Sequence, residues 1–316
     1  MGIAARRTRQ GRSAISADTG WAASARHAAE TGAPAHEFEA LDSGRLLVHR
    51  QFSPVLKRNG IATFDALFQF SGGQCVRRVH NRSTTRIAVY DRIGWHSFYL
   101  KRHAAPPWGE CVRPLLNLGR PIFGARNEWH AIISLHEAGV PTLTPVAFGE
   151  VGERSLLLTD DLRTDLTLFD WARAPSAAAA GHAAARLPGK RAIIARVAAI
   201  VRRMHDSGIH HQDLFLHHIL VCGEPVRLDM RIIDPGRAWR HDRLSLRWIV
   251  KDLAQLNASA GSLTRADRLR FLRLYLGRPF RPLDRMLAFF VALKSRRIAA
   301  HTTKHGLWPA MDDARR

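Results

Sequence analysis

The chain has 316 residues, enough for one large domain or for two lobes that share a cleft. With 46% hydrophobic and 24% charged residues it has a globular composition, which excludes wholesale disorder and a membrane bundle. A net charge of +21, from 48 Lys and Arg against 27 Asp and Glu, calls for anionic company such as nucleotide phosphates, nucleic acid or an anionic membrane surface. An arginine-rich coding bias would give the same excess, so charge alone does not choose among them.

Residues 1–38 are rich in Ala, Arg, Ser, Thr and Gly without apolar periodicity, which predicts a disordered basic tail. Arg6, Arg7, Arg9 and Arg12 are followed by no apolar run, so no secretory leader is expected. Residues 39–161 read as a first lobe. Within it, stretches 66–70, 75–79, 85–90 and 97–101 predict short strands of an antiparallel sheet, with turns at Gly72-Gly73 and around Gly94. A helix is predicted over 126–138, stopped by Gly139 with Pro141 just beyond. On that helix Glu128 shares a face with Ile132 and Leu135, where a charge needs a partner. Strands at 145–148 and 155–159 close this part, and Asp160-Asp161 starts a connector.

Residues 162–316 predict a mainly helical second lobe, opened by an Ala-, Pro- and Gly-rich loop over 172–190. Ile193, Ile194, Val197, Ile200, Val201 and Met204 keep the spacing of an amphipathic helix that Gly208 ends. A polar loop over 210–217 follows, then a strand at 218–221, a turn at 222–225 and a strand at 227–233. Residues 244–305 are helical by period, with Thr264 and Asp267 spaced as an N-terminal cap. The longest apolar run, 286–293, falls far short of the roughly 20 residues that span a bilayer. Cys75, Cys111 and Cys222 show neither paired nor metal-ligand spacing, so neither a disulfide framework nor a zinc site is expected, and a reducing cytoplasm is.

The stretch 204–221, read with 232–236, carries the chemistry. Phosphoryl transfer asks a protein for positioning and for neutralised charge. It needs one carboxylate at the acceptor hydroxyl and another to hold metal against the nucleotide phosphates. Asp213 lies in the polar loop, and Asp234 follows the strand pair, whose turn brings it back beside that loop.

These residues resemble the protein-kinase-like superfamily, in which His-Arg-Asp is followed five residues on by a metal-binding Asn and then by Asp-Phe-Gly. Here the text is His211-Gln212-Asp213, His218 and Asp234-Pro235-Gly236. Gln212 replaces Arg; His218 replaces Asn, which leaves the second magnesium open. Those departures resemble the bacterial lipopolysaccharide core kinases, the heptose and Kdo kinase family. The likeness runs through Tyr99, Leu100 and Lys101, Asn127-Glu128-Trp129, 139–142, 155–159, 233–238, 247–254 and 263–275.

The resemblance implies an α+β, two-lobed protein-kinase-like fold, with an antiparallel N-terminal β lobe carrying one main helix and a mainly helical C-terminal lobe. It implies ATP and Mg2+ as cofactors and a phosphotransferase acting on a heptose or Kdo hydroxyl of the lipopolysaccharide core or another glycolipid. By the same likeness, Lys101 reaches the ATP phosphates and pairs with Glu128. Asp213 is the catalytic base in a loop with His211, Asp234 is the chief metal ligand and His218 supports it. Asp252 holds the catalytic loop through its backbone, and Gly72 and Gly73 are what remains of a phosphate-covering loop. Arg237, Arg240 and Arg243 are candidates to clamp a phosphate or sugar acid. Lys294, Arg296, Arg297 and Lys304, behind Phe289 and Phe290, suit an anionic membrane face and a peripheral site at the inner membrane. Other readings are a small-molecule or protein kinase, a pseudokinase adaptor, and a nucleic-acid-binding protein, for which the chain lacks a recognition motif. The histidines at 205, 210, 211, 217 and 218 lack zinc spacing.

Overall fold

The computed structural model describes residues 37–79, 81–104, 124–162, 164, 166–173, 189–222 and 229–304. The expected tail thus lies almost wholly outside the described residues, as do most of the loop at 172–190 and the turn at 222–225.

The N-terminal part is a seven-stranded sheet in the order β1-β2-β6-β7-β5-β4-β3. Its strands are β1 Phe38–Leu41, β2 Leu46–His49, β3 Gln74–Val79, β4 Arg82–Tyr90, β5 Trp95–His103, β6 Pro145–Val151 and β7 Arg154–Asp160. Every neighbouring pair is antiparallel. Strand alternation gives the sheet two apolar faces. On one, Leu46, Val48, Phe98, Leu100, Leu156 and Leu158 pack with Phe52, Val55 and Leu56 around helix α1, Ser53–Arg58, and with Phe64 and Leu67 of helix α2, Phe64–Gln69. On the other, Phe148 and Leu157 pack under Trp129 and Ile132 of helix α3, Arg126–Glu137.

Helix α2 corrects the strand expected at 66–70. Thr63 caps it by accepting from the Ala66 N–H at 3.2 Å, Asp65 sits in its first turn, and Phe64 and Leu67 bury one helical face. Gly72 and Gly73 likewise do not form a hairpin turn. They lead into β3, and the β3–β4 hairpin closes at the Val79–Arg82 pair instead. Gly73 has φ +104°, and a Cβ there would stand 2.4 Å from the Arg86 carbonyl oxygen, so its role is close passage against β4.

After the short helix α4, Leu168–Arg173, comes helix α5, Lys190–Asp206, which buries the predicted apolar stripe from Ile193 to Met204. Each such side chain contributes about 1.5–3 kcal/mol on full burial. Strand β8, Ile209–His210, pairs with β11, Trp239–Arg240, and between them β9, Ile219–Cys222, pairs with β10, Asp229–Ile232. Helices α6 Leu246–Ser259, α7 Arg265–Leu276 and α8 Pro282–Lys304 complete the fold. Thr264 and Asp267 form a full capping box on α7, and Gly277 ends it in the left-handed conformation. Thr142, after α3, bridges Ile232 in parallel register and donates its hydroxyl to the Ile232 carbonyl at 2.7 Å, which ties the strand leading to Asp234 to the sheet-bearing part.

Candidate active site

Strand register decides where Lys101 points. Leu100 is buried on the α1 and α2 face, so Lys101 takes the opposite face, opposite Leu157 in the adjoining strand and under α3. There its Nζ lies 2.7 Å from Glu128 Oε1 and 2.8 Å from Asp234 Oδ1. Burial disfavours charge on Lys101, but Asp234 and Glu128 outweigh it and hold its pKa above the ordinary value. Burial raises the Glu128 pKa against the pull of Lys101. Asp234 moves the other way, because Lys101, then His218, hold its carboxyl far below the usual range against its own desolvation.

The loop 211–218 meets this charge cluster from the other side. His218 Nδ1 donates to the Asp213 carbonyl at 2.7 Å. Its Nε2 faces Asp234, 3.8 Å from Oδ2. Asp213 itself is approached by Arg237, whose Nη1 stands 3.4 Å from Oδ1. Asn127 Nδ2 donates to the Gly236 carbonyl at 2.7 Å and fixes the segment after Asp234 against α3.

Two non-glycine residues here adopt left-handed φ, Gln212 at +69° and Asp234 at +56°. Such conformations cost about 1–3 kcal/mol each and persist only where the surroundings over-determine them. For Gln212 those surroundings are specific. Its N–H donates to Asp252 Oδ1 at 2.9 Å, its carbonyl accepts from Gln255 Nε2 at 2.6 Å, and its side-chain amide donates to the Arg237 carbonyl at 2.8 Å. Asp252 Oδ2 also accepts from the His211 N–H at 2.7 Å. Burial works against ionisation of Asp252, yet hydrogen bonds from His205 and the His211 backbone keep its pKa low.

The expected pairing of Lys101 with Glu128 and the expected grip of Asp252 on the loop backbone are thus direct contacts. His211 stands differently from its expected place among the reacting groups. It is fully buried, its Nε2 donates to the Ile233 carbonyl at 3.2 Å, and it braces the approach to Asp234. Arg240 is taken by Glu137 at 2.8 Å. Gln255 and Ser259 were missed from the sequence. Gln255 Oε1 accepts from the Leu214 N–H at 3.2 Å and Ser259 Oγ from the Leu216 N–H at 3.0 Å. Polar residues at 252, 255 and 259, three and four apart on an otherwise apolar helix face, were the available signal. Among the described residues no group of three or more His, Cys, Asp and Glu can hold a metal ion unaided. The Asp234 carboxylate is of the kind that Mg2+ takes, since Mg2+ is held by one or two carboxylates and fills the rest of its shell with water and phosphate oxygens.

A lysine-glutamate pair carried by a β-rich part, facing an aspartate delivered by a strand pair beside a braced loop, defines a phosphotransferase of the protein-kinase-like fold. A sequence profile of the lipopolysaccharide kinase (Kdo/WaaP) family matches residues 68–275. Two curated relatives are lipopolysaccharide core heptose(I) kinases WaaP. The Pseudomonas aeruginosa protein is 38% identical over 254 residues, 76% of this chain and 90% of the relative. The Escherichia coli K12 protein is 34% identical over 253 residues, 74% of this chain and 91% of the relative. Among solved structures, WaaP in complex with acyl carrier protein aligns with a TM-score of 0.59 and 32% identity, covering 80% of this chain and 97% of that one. The chain belongs to the lipopolysaccharide kinase (Kdo/WaaP) family, and it is a phosphotransferase that acts on an alcohol group.

Proposed function

We propose that this enzyme transfers the γ-phosphate of ATP to a sugar hydroxyl of the lipopolysaccharide inner core, on heptose in preference to Kdo. The observation that carries the reading is Lys101 Nζ within 2.8 Å of both Glu128 and Asp234, with His218 joining that cluster to the Asp213 loop. Likeness to two heptose(I) kinases supports heptose as the sugar.

In this reading residues 39–161 bind nucleotide and residues 162–316 carry the loop and the acceptor. Lys101, held charged and oriented by Glu128, binds the ATP phosphates. Asp234, with His218 beside it, would hold Mg2+, which would supply charge neutralisation to the transferring phosphoryl group. Asp213 accepts the proton of the acceptor hydroxyl, and Arg237 orients its carboxylate. His211 and Asp252 keep the loop in its strained path. Work takes place on the cytoplasmic face of the inner membrane. No helix of the described residues is long and apolar enough to cross a membrane. Exposed Leu283, Met286, Phe289, Phe290 and Leu293 on α8, close in sequence to Lys294, Arg296 and Arg297, support contact with an anionic bilayer.

The test is transfer of labelled phosphate from ATP to purified core acceptors. Wild type is expected to label a heptose-bearing acceptor and to leave a Kdo-only acceptor unlabelled, with Asp213→Asn inactive on both. Labelling of the Kdo-only acceptor alone, or full activity of Asp213→Asn, would overturn the reading.

A further inference from the structure

A group of cations stands beside the catalytic loop on the side served by α6. Lys251 Nζ donates to the Gln212 side-chain oxygen at 3.1 Å, one residue from Asp213. Gln212 in turn holds the carbonyl of Arg237, whose guanidinium faces Asp213. Trp248, one helical turn before Lys251, is packed against His210 with ring centroids 4.2 Å apart. The same indole carries the Arg247 guanidinium at 4.3 Å and lies 5.4 Å from Lys251 Nζ. A half-buried aromatic stacked on a buried histidine is thus a rigid base for two cations whose reach would otherwise be diffuse.

Among the described residues neither Arg247 nor Lys251 makes an ion pair with a carboxylate within 4.0 Å, whereas Arg240, expected from the sequence to serve, is occupied by Glu137. Burial depresses the Lys251 pKa, and the like charges of Arg237 and Lys294 depress it further, against Asp213 and Asp252. Asp213 and Asp252 offset part of that positive charge, but Asp213 is faced by Arg237 and Asp252 is turned to the loop backbone, so neither forms an ion pair with Arg247 or Lys251. Cations held close together against their own repulsion and braced by an aromatic are matched by an anion. Lys101 belongs to the other side of the centre, where Glu128 and Asp234 occupy it, so the nucleotide phosphates already have their cation.

We infer that Arg237, Arg247 and Lys251 form an anion subsite that receives a carboxylate or phosphate group carried by the acceptor, next to the hydroxyl that Asp213 serves. The inference rests on the proposed core-sugar acceptor and adds to it the charge that must accompany the reacting hydroxyl. The subsite recognises an acidic sugar neighbour, and it selects against a neutral glycan with the same hydroxyl.

Steady-state kinetics of the full chain with three acceptors test this: the intact core glycolipid, the same glycolipid with its carboxylates methyl-esterified, and the same glycolipid dephosphorylated. For Lys251→Gln and Arg247→Gln, acceptor KM is expected to rise about tenfold or more on the intact acceptor, the loss of one charge-assisted pair. The KM for ATP is expected to stay within about twofold, and Lys251→Arg is expected to restore most of the acceptor affinity. Wild type is expected to lose the same factor on whichever modified acceptor lacks the recognised group, and the variants to show no further loss there. Esterification acting in this way identifies a carboxylate, and dephosphorylation a phosphate. Variants that bind all three acceptors like wild type would overturn the subsite while leaving the core-kinase reading intact. Wild type inactive on every core acceptor would overturn the core-kinase reading itself.

Discussion

Asp252 Oδ1 accepts the backbone N–H of Gln212 at 2.9 Å, and Gln212 is the residue whose φ of +69° turns the chain into Asp213. A fully buried carboxylate on a helix therefore sets the backbone path of a loop 40 residues earlier in the chain. Removing it strands two donors, the N–H groups of His211 and Gln212, at about 1–3 kcal/mol for each that is left unsatisfied. Asp252→Ala is expected to lower thermal stability by that combined amount and kcat by about 100-fold, because a loop displaced by an ångström misplaces Asp213. Asp252→Asn keeps one acceptor and should fall between the two in both melting temperature and kcat. Equal kcat in all three proteins, measured well below their melting points, would show that the loop does not depend on this brace.

Lys101 is the sole cation within ion-pair distance of buried Glu128 among the described residues. Burial already raises the Glu128 pKa above its ordinary 4.5, and Lys101 opposes that rise. In Lys101→Met the opposition is gone, so the folded-state pKa climbs further. A carboxyl with a raised folded pKa leaves stability intact below its unfolded value and removes it as pH rises toward the folded one. Asp234 adds a loss that is the same at pH 5 and pH 8, so the difference between the two comes from Glu128. Its lowered pKa contributes stability above about its ordinary 3.8, and that contribution too requires Lys101. Lys101→Met is expected to be destabilised by about 3–5 kcal/mol at pH 8 and by clearly less at pH 5. Melting curves at the two pH values measure the difference, and an equal loss at both would refute the pairing as the source.

The helix and strands that carry Lys101 and Glu128 were legible because their residues obey one period each. Residues 126–138 read as a helix with glycine and proline after it, and α3 runs Arg126–Glu137. Residues 97–101 read as a strand that extends at both ends in β5, Trp95–His103. The misreading at 66–70 has a physical cause. Four apolar residues around one glutamine fit a strand or a helical turn equally, and Thr63 with Asp65 settled it as a helix through capping. The left-handed backbone of Gln212 and Asp234 was not legible, since neither is glycine and what enforces it comes from α6 and α3. For the same reason Gln255 and Ser259 escaped notice: their partners are backbone N–H groups, which no sequence displays.

His218 stands where the protein-kinase pattern has a metal-binding Asn. Its Nδ1 holds the Asp213 carbonyl and its Nε2 faces Asp234, so one ring performs two tasks. Asn reproduces both with a side-chain amide, donating through nitrogen and offering oxygen, whereas Ala reproduces neither. His218→Ala is expected to raise the Mg2+ concentration for half-maximal activity about tenfold or more, the scale on which metal-site partners act. His218→Asn should stay near wild type with Mg2+, and should respond less than wild type to replacement by Mn2+, which accepts imidazole nitrogen more readily. Identical metal titrations for all three proteins would remove His218 from the metal site.

Gly73 lies at the start of β3, with the β3–β4 closure at Val79–Arg82 at the far end of the strand. Its φ of +104° disfavours any L side chain, and a Cβ would press on the Arg86 carbonyl oxygen at 2.4 Å. Gly73→Ala is therefore expected to cost more than about 1 kcal/mol, since the strain enters the folded state alone. For a chain of this size that lowers the melting temperature by about 2–4 °C per kcal/mol. The strain falls on the Arg86 backbone, which pairs with Tyr99, and not on Thr84, which pairs with Lys101, so the KM for ATP should remain within about twofold of wild type. A phosphate-covering glycine would behave in the opposite way, with the ATP KM rising several-fold at little cost in melting temperature. Measuring both quantities on the one variant separates a glycine kept for strand packing from a glycine kept for nucleotide.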